Sequence, residues 1–465
     1  MRFPVAFTVG LATAFASLAS AHTCFTTLFI NDVNQGDGTC VRMPKDGSLS
    51  THPIYGYDNP DLACGRDGNI PVAFTCPAPA GAKLTFEFRM WADLSQPGAI
   101  DAGHKGPIAV YLKRVSNITI DSAVGPGWFK IYEEGFDTAT NMWAVTKLNA
   151  SQGLLSINLP SGLPTSYYLI RTEMIALHNV TSNAVSPQPY VGCAQLFIQS
   201  SVPPETAIPS EKTVSIPGHL SPSDPGLNFN VYRGEGKESS YRVPGPAVYF
   251  PTAPPGNNKA QNPTIQQTDG LIPDNCLVKN ANWCGVEVPR YTNQAGCWAS
   301  AENCWNQLEV CYKTAPPSGN KGCRVWEEQK CKVLQQACSS GQWQGPPNEG
   351  QKLTAVVDSP IPGGKLPDPV NAGQQGEVVS GGGGSSSGSG NTGGGQATTF
   401  IVSTTSAVPT SVVTSSPTPI PNDEVAPTPT VSPPPRGGKG KGYRPHCKST
   451  RKQQQRRWVV YEPMA

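Results

Sequence analysis

Residues 83–90, with the sequence KLTFEFRM, alternate apolar and polar side chains at every second position. The apolar members are Leu84, Phe86, Phe88 and Met90, and the polar members are Thr85, Glu87 and Arg89. Because successive side chains of a β-strand point to opposite faces of the sheet, this stretch predicts a strand with one apolar and one polar face. Similar stretches elsewhere in the chain extend the prediction to the whole fold.

The alternation recurs over residues 108–112, 155–159 and, less regularly, 168–178. Turns rich in Gly and Pro separate these stretches, and no sustained helical period interrupts them. Short strands between turns are typical of an antiparallel β-sandwich. We therefore predict an all-β fold whose single well-filled core lies within residues 22–252.

The composition of the 465-residue chain changes along its length. Its 48 Gly and 47 Pro indicate disordered linkers beside the folded parts. The predicted segments are a signal peptide at 1–21, the sandwich domain at 22–252, a linker at 253–274, a Cys/Trp-rich module at 275–345, a Gly/Ser/Thr/Pro-rich linker at 346–435 and a basic tail at 436–465.

The overall charge and hydropathy narrow the range of partners. A formal charge of +2 gives no global field that would favour nucleic acid, so we expect no nucleic-acid partner. No apolar run after the signal is long enough to span a bilayer, so we expect no membrane partner. We expect a monomer that is secreted into the extracellular space.

His22 follows a predicted cleavage site. Residues 1–21 contain Arg2, an apolar stretch and the exit Ala19-Ser20-Ala21, the pattern of a secretory signal. Cleavage after Ala21 would give His22 a free α-amine beside its own imidazole, and one metal ion could bind both nitrogens. A histidine at this place can also be one that the protease merely tolerates.

Two further histidines and one tyrosine could complete such a site. His104 lies in a Gly-rich loop before a predicted strand, and His178 ends a strand shortly before Gln188 and Tyr190. If His22, His104 and Tyr190 meet, three nitrogens and an axial phenol would suit one Cu(II) ion better than zinc. His178 and Gln188 would then orient an oxygen species. Alternatively, His104 is a solvated turn residue and His178 belongs to a buried hydrogen-bonded cluster.

The 14 cysteines of an exported chain indicate disulfides. Eight of them lie in residues 276–338, among four tryptophans and at helical spacings, which predicts a small disulfide-stapled, mainly helical module. These tryptophans either bind cell-wall polysaccharide or form the module's core. The glycosylation sequons are at Asn117, Asn149 and Asn179.

Several motifs together resemble one family. They are His22 at the predicted mature terminus, GHKGP at 103–107, GPGWFKI at 125–131, IALH at 175–178 and QPY at 188–190. In this order they resemble the fungal lytic polysaccharide monooxygenases of auxiliary activity family nine, formerly glycoside hydrolase family 61, here with a C-terminal Cys-rich extension. The resemblance covers roughly residues 22–252 and rests on the combination of motifs.

The resemblance implies an immunoglobulin/fibronectin-like sandwich with copper on a flat face. It implies that His22 and His104 bind copper, with Tyr190 as axial phenol, and that His178 and Gln188 manage bound oxygen. The implied reaction hydroxylates C1 or C4 of β-1,4-glucan such as cellulose, using O2 or H2O2 and an external electron donor. A Cys64–Cys193 disulfide is also implied. Cys24 and Cys40 could then close a second loop, which would leave Cys76 unpaired among the first five cysteines.

Some features depart from the family or remain open. The family often has His before the Glu that is Glu173 here, whereas this chain has Thr172. An aromatic platform near residues 30–40 is missing. Tyr232 is the candidate for stacking on sugar, and the alternative is that it belongs to ordinary packing. The sequon at Asn179 lies directly after His178, so we expect it to be unoccupied or to carry a glycan directed away. Two alternative hypotheses for the function are a secreted copper-binding sandwich protein without oxidative turnover and a structural cell-wall protein.

Overall fold

Two antiparallel-rich sheets packed face to face form the body of the protein. In the computed structural model, the described residues are 22–182, 184–233, 236–253, 265–353 and 365–370. The predicted signal peptide, the basic tail and most of the predicted linker at 346–435 lie outside them. The sandwich confirms the predicted all-β fold, and a disulfide-linked helical module follows it.

The strands of the sandwich are numbered in chain order. They are β1 Cys24–Ile30, β2 Val33–Asn34, β3 Cys76–Pro79, β4 Lys83–Arg89, β5 Ile108–Val115, β6 Gly125–Glu134, β7 Phe136–Asp137, β8 Met142–Trp143, β9 Leu154–Asn158, β10 Ser166–Ala176, β11 Val180–Thr181, β12 Ala184–Val185, β13 Gln188–Gln199 and β14 Val214–Ile216. One sheet has the order β2-β1-β4-β9, and the other has the order β14-β6-β5-β10-β13-β3. The strands β7 with β8, and β11 with β12, form small hairpins, and helix α1 spans Ala144–Ala150.

Strand β4 contains the stretch that predicted the fold, but it is covered on both faces. Leu84, Phe86 and Phe88 face the core between the sheets as expected. On the other face, the hydroxyls of Thr85 and Ser156 lie 2.7 Å apart. Leu366 packs with Leu154 and Phe29, and Val370 pairs with Ile157 of β9. Residues 365–370 therefore cover a face that the alternation alone assigned to polar surroundings.

The register of β10 with its neighbours brings three chain segments to one end of the sandwich. Met174 of β10 lies opposite Tyr190 of β13 on one side and Ile108 of β5 on the other. Because both pairings are antiparallel, the carboxyl end of β10 meets the amino ends of β5 and β13. The residues that follow β10 and precede β5 and β13 must therefore lie close together.

Two disulfides tie loops to the second sheet. Cys64 bonds to Cys193, the pair implied by the family resemblance, and Cys40 bonds to Cys76. The suggested Cys24–Cys40 pair is wrong, because Cys24 is a buried free thiol in register with Arg89 of β4. Cys40 instead lies beside β3, which belongs to the other sheet.

The Cys-rich module contains a hairpin and three α-helices. Its elements are β15 Cys276–Asn280, β16 Trp283–Val286, α2 Gln294–Thr314, α3 Lys321–Trp326 and α4 Lys332–Ser339, with a π-helical turn at Glu327–Cys331. Three cysteines spaced by seven line one face of α2 and bond to the returning chain in reverse order, as Cys297–Cys338, Cys304–Cys331 and Cys311–Cys323. Cys276–Cys284 closes the hairpin.

The module contacts the sandwich directly through its hairpin. The side-chain amide of Asn282 accepts a hydrogen bond from the backbone amide of Cys40 at 3.0 Å and donates one to the Gly38 carbonyl at 2.8 Å. The predicted linker at 253–274 is partly described, and it too lies on the sandwich, since the Tyr167 hydroxyl accepts hydrogen bonds from two successive amides at 268 and 269. Among the described residues, no helix has the length and apolar character needed to cross a membrane.

Candidate metal centre

Four aromatic side chains converge at the end of the sandwich where β5, β10 and β13 meet. The ring centre of His104 lies 3.8 Å from that of His178 and 6.0 Å from that of Tyr190. The ring of His22, just before β1, lies 6.3 Å from Tyr190. Tyr190 thus lies at a similar distance from the two histidines that the sequence proposed as ligands.

The loop before β5 holds His104 in place through backbone contacts. The His104 amide donates to the Asp101 carbonyl at 3.0 Å, and the Leu177 amide donates to the Lys105 carbonyl at 2.9 Å. A Cβ at Gly106 would lie 1.9 Å from the Ile175 carbonyl oxygen, so only glycine allows the loop to approach β10 this closely. This approach places His104 against His178.

The His104 imidazole is buried with an unsatisfied nitrogen. No described group hydrogen-bonds its Nδ1, since Asp101 Oδ1 is 3.7 Å away, beyond hydrogen-bond distance. The Nδ1 of His178 is also without a partner. Because a buried polar atom without a partner costs free energy, these nitrogens indicate a place where a ligand binds.

The electrostatic environment keeps these side chains uncharged near neutral pH. Burial, followed by the proximity of His178, lowers the pKa of His104 to about 4. Burial also lowers the pKa of His178, and burial together with His52 lowers that of His22. Burial raises the pKa of the Tyr190 phenol. Neutral imidazoles have lone pairs for a metal, while the phenol remains a protonated, weak donor.

A short hydrogen-bond chain links Tyr190 to the surface. The Tyr190 hydroxyl donates to Gln188 Oε1 at 3.1 Å, and Gln188 Nε2 donates to the Tyr55 hydroxyl at 3.1 Å. Tyr55 is 55% exposed. The orientation of the Gln188 amide therefore depends on a residue that also presents an aromatic ring to solvent.

Sequence reasoning missed two residues of this region, His52 and Tyr55. The His52 ring stacks on His22, with ring centres 4.4 Å apart and planes inclined by 23°. Arg66 holds the loop through hydrogen bonds to the carbonyls of His52 and Pro53, and the Ile54 amide donates to the Pro189 carbonyl. The sequence THPIYGY at 51–57 combines a histidine with two tyrosines and could have indicated a binding site. No local pattern, however, predicts that it lies beside His22.

Tyr232 and the three sequons are the other surface residues that the sequence proposed. Tyr232 is 58% exposed in a turn, and its neighbour Val231 packs with Leu177 at the end of β10. Of the sequons, Asn117 accepts hydrogen bonds within its own turn, and Asn149 lies in α1. Asn179 is half-buried, and its carbonyl accepts from the Ser186 amide.

Comparisons with known proteins identify the relatives of this chain. The sequence profile of Auxiliary Activity family 9 (formerly GH61) matches residues 22–241. The chain is 46% identical over 345 residues to the family's lytic polysaccharide monooxygenase C of Aspergillus tamarii, covering 73% of this chain and 91% of that protein. It is 46% identical over 368 residues to monooxygenase H of Botryotinia fuckeliana, covering 77% of this chain and 83% of that protein.

The solved structure of a cellulose-active polysaccharide monooxygenase from M. thermophila shares 27% identity, with a TM-score of 0.40, covering 50% of this chain and all of that one. Imidazoles gathered at one end of a β-sandwich are typical of a metalloenzyme. This chain belongs to auxiliary activity family 9, the copper-dependent lytic polysaccharide monooxygenases. The alignments with the two curated relatives extend well past residue 241, so those relatives share sequence with this chain beyond the matched domain.

Proposed function

We propose that the mature protein begins at His22 and binds one copper ion through the His22 amine and imidazole, the His104 imidazole and, weakly, the Tyr190 hydroxyl. The observation that carries this proposal is the buried His104 imidazole, which has an unsatisfied Nδ1 and whose ring centre lies 6.0 Å from Tyr190, the same ring that lies 6.3 Å from His22. Nitrogen-rich donor sets with a weak axial oxygen suit copper. The residues present therefore fit the ion that the family uses.

Processing at the start of the chain supplies the third strong nitrogen. The described residues contain no group of three or more His, Cys, Asp or Glu side chains that could hold a metal. An α-amine has a pKa of roughly 8, so near neutral pH it loses its proton readily to a metal. Cleavage after Ala21, and secretion with it, are therefore part of the proposed mechanism.

Copper, when bound, supplies the redox chemistry by which O2 or H2O2, with electrons from an external donor, hydroxylates C1 or C4 of a β-1,4-linked glucose. The protein's own groups prepare the site. His178 and the Gln188 amide lie beside the proposed ligands, where both orient the oxygen co-substrate through hydrogen bonds and His178 exchanges protons with it. The Tyr190–Gln188–Tyr55 hydrogen bonds keep that amide in one orientation.

The proposed substrate is a polymer of cellulose type. The exposed ring of Tyr55, hydrogen-bonded to Gln188, and the exposed Tyr232 offer aromatic faces on which pyranose rings pack. We expect the protein to act as a secreted monomer, with a small reductant or a secreted redox enzyme as its electron donor.

The decisive experiment compares two forms of the chain, one that begins at His22 and one that keeps Ala21. The first should bind copper tightly in a calorimetric titration and release oxidised oligosaccharides from cellulose, detected by mass spectrometry with ascorbate. The second should lose both properties, because its His22 nitrogen is an amide. His104→Ala in the first form should also lose both. Full turnover with Ala21 retained would refute the proposal.

A further inference from the structure

We propose that the Cys-rich module carries a second saccharide site, a groove between β16 and one face of α2 that takes a neutral pyranose segment of a polysaccharide. The groove has a volume of about 460 Å³ and is lined by Trp283, Glu287, Asn303, Gln307 and Val310, among others. This volume falls within the range of roughly 300–1,000 Å³ that is typical of ligand sites. The proposal is independent of the copper chemistry.

The indole of Trp283 forms a fixed aromatic wall of this groove. It packs edge-on against the fully buried Trp326, with ring centres 5.9 Å apart. A Cβ at Gly285 would lie 2.6 Å from Trp326 and 2.8 Å from Trp283, so glycine makes room for both indoles. A ring held in this way loses little conformational entropy when a sugar face packs on it.

The groove also has an oriented hydrogen-bond donor. Gln307 bonds to the backbone of Val286 in both directions and donates to Asn303 Oδ1 at 2.8 Å. With its oxygen used in this way, Asn303 has its amide nitrogen available, since no described residue accepts from it. An amide donor beside an indole is a suitable pair of contacts for a sugar hydroxyl and the adjacent apolar ring face.

The only carboxylate named among the lining residues is compensated. Glu287 accepts hydrogen bonds from the amides of Val288 and Gly350, at 2.9 and 2.7 Å. It also pairs with the buried Lys330 at 2.6 Å. Because its charge and its lone pairs are already matched, the groove favours a neutral, hydroxylated ligand over an ion.

The groove lies beside the module's contacts to the sandwich, and of its lining residues Cys284 packs against the sandwich core. The hydrogen bonds between the module and the sandwich come from the hairpin turn at Ala281 and Asn282, and from Lys279, which donates to the Gln35 carbonyl. The face of α2 that carries Asn303 and Val310 makes none of these hydrogen bonds, and Val310 is 50% exposed. The groove can therefore receive a chain while the module stays docked.

The test measures binding of the full mature chain, free of copper and reductant, to cellulose, chitin, xylan and mannan particles. The wild type should bind at least one of them. Val310→Arg should weaken that binding at least about tenfold by obstructing the groove, and Asn303→Ala about fivefold through one lost hydrogen bond. Trp298→Ala is the matched control, an exposed indole (42%) on the opposite side of the same helix. It should change binding less than twofold.

Three results would overturn the proposal: no retention of the wild type on any polymer, groove variants that bind as the wild type does, or an equal loss in Trp298→Ala. Thermal unfolding of each variant verifies folding, and Asn303→Ala, which removes only a half-buried amide, keeps the test valid if Val310→Arg fails to fold. Copper binding and turnover on a soluble cello-oligosaccharide should be unchanged in all three variants. Failure of the groove is therefore distinguishable from failure of the copper proposal.

Discussion

Glu173 illustrates how single residues inside the second sheet support the site. It is buried on β10, where its carboxylate accepts hydrogen bonds from Arg171 and from the Tyr111 hydroxyl and lies 3.0 Å from His219 Nε2. Burial alone would raise the pKa of Glu173, but the charge of Arg171, the proximity of His219 and the hydrogen bonds from both together outweigh burial and hold this pKa well below its usual range. The network stiffens the strand whose carboxyl end leads to His178.

Glu173→Gln should lower the free energy of unfolding at pH 7 by about 3 kcal/mol, because it leaves a buried guanidinium without its counter-charge. Since the folded pKa is lowered, the carboxylate's contribution is complete above its unfolded pKa of about 4.3 and declines as the pH falls further. The difference between wild type and variant, measured by urea unfolding, should be constant from pH 7 to 5 and shrink below pH 4. Glu328→Gln, which removes an exposed partner of Lys332, should change stability by less than about 1 kcal/mol.

Tyr55→Phe should reduce turnover on cellulose about tenfold without changing copper affinity, because it removes the oxygen that holds the Gln188 amide. Product release followed by mass spectrometry and a calorimetric copper titration separate the two quantities. Tyr232→Phe, which removes a hydroxyl from an equally exposed tyrosine, is the control and should match the wild type in both. A parallel loss of copper affinity in Tyr55→Phe would contradict the assigned role.

At the scale of elements, the hairpin of β15 and β16 holds the module against the sandwich through hydrogen bonds. Asn282 lies at its turn and bonds to both the amide and the carbonyl groups of the loop at 38–41. The neighbouring Thr39 hydroxyl donates to the Ala281 carbonyl at 3.2 Å. These contacts cover a loop that the Cys40–Cys76 disulfide already ties to β3.

Asn282→Ala should lower the free energy of unfolding by about 2 kcal/mol, since it leaves buried backbone groups without partners. Hydrogen exchange followed by mass spectrometry should show faster exchange over residues 38–41 and little change in β10. Asn306→Ala, an exposed position on α2, is the control. Unaltered exchange at 38–41 in Asn282→Ala would show that the hairpin does not clamp this loop.

At the scale of the whole molecule, segments that follow the sandwich in sequence cover part of its surface. Residues 265–275 lie along Tyr167 and Thr75, and residues 365–370 lie along β9. The sandwich therefore shares its outer surface with sequence that follows it by more than a hundred residues. The stability of the sandwich should depend on that sequence, even though the buried residues of its main core all belong to the sandwich itself.

A chain ending at residue 253 should unfold at a lower temperature than the full mature chain. Loss of about 2 kcal/mol would lower the midpoint by roughly 4–8 °C for a domain of this size. A chain ending at residue 370 keeps every described contact and is the control, with an unchanged midpoint. Scanning calorimetry measures all three forms, and equal midpoints for the 253 and 370 forms would show that the module and residues 365–370 do not support the sandwich.

The sequence by itself determined the fold class and the presence of the Cys-rich helical module, because two-residue and helical periodicities are local properties of the chain. Motif order also singled out His22, His104, His178, Gln188 and Tyr190, which the structure places at one end of the sandwich. Only the tertiary structure decided which cysteine pairs with Cys40, what covers the polar face of β4, and that His52 and Tyr55 join the site. Each of these depends on contacts between segments far apart in the chain, and such contacts are set by strand register and loop packing, which leave no periodic trace in the sequence.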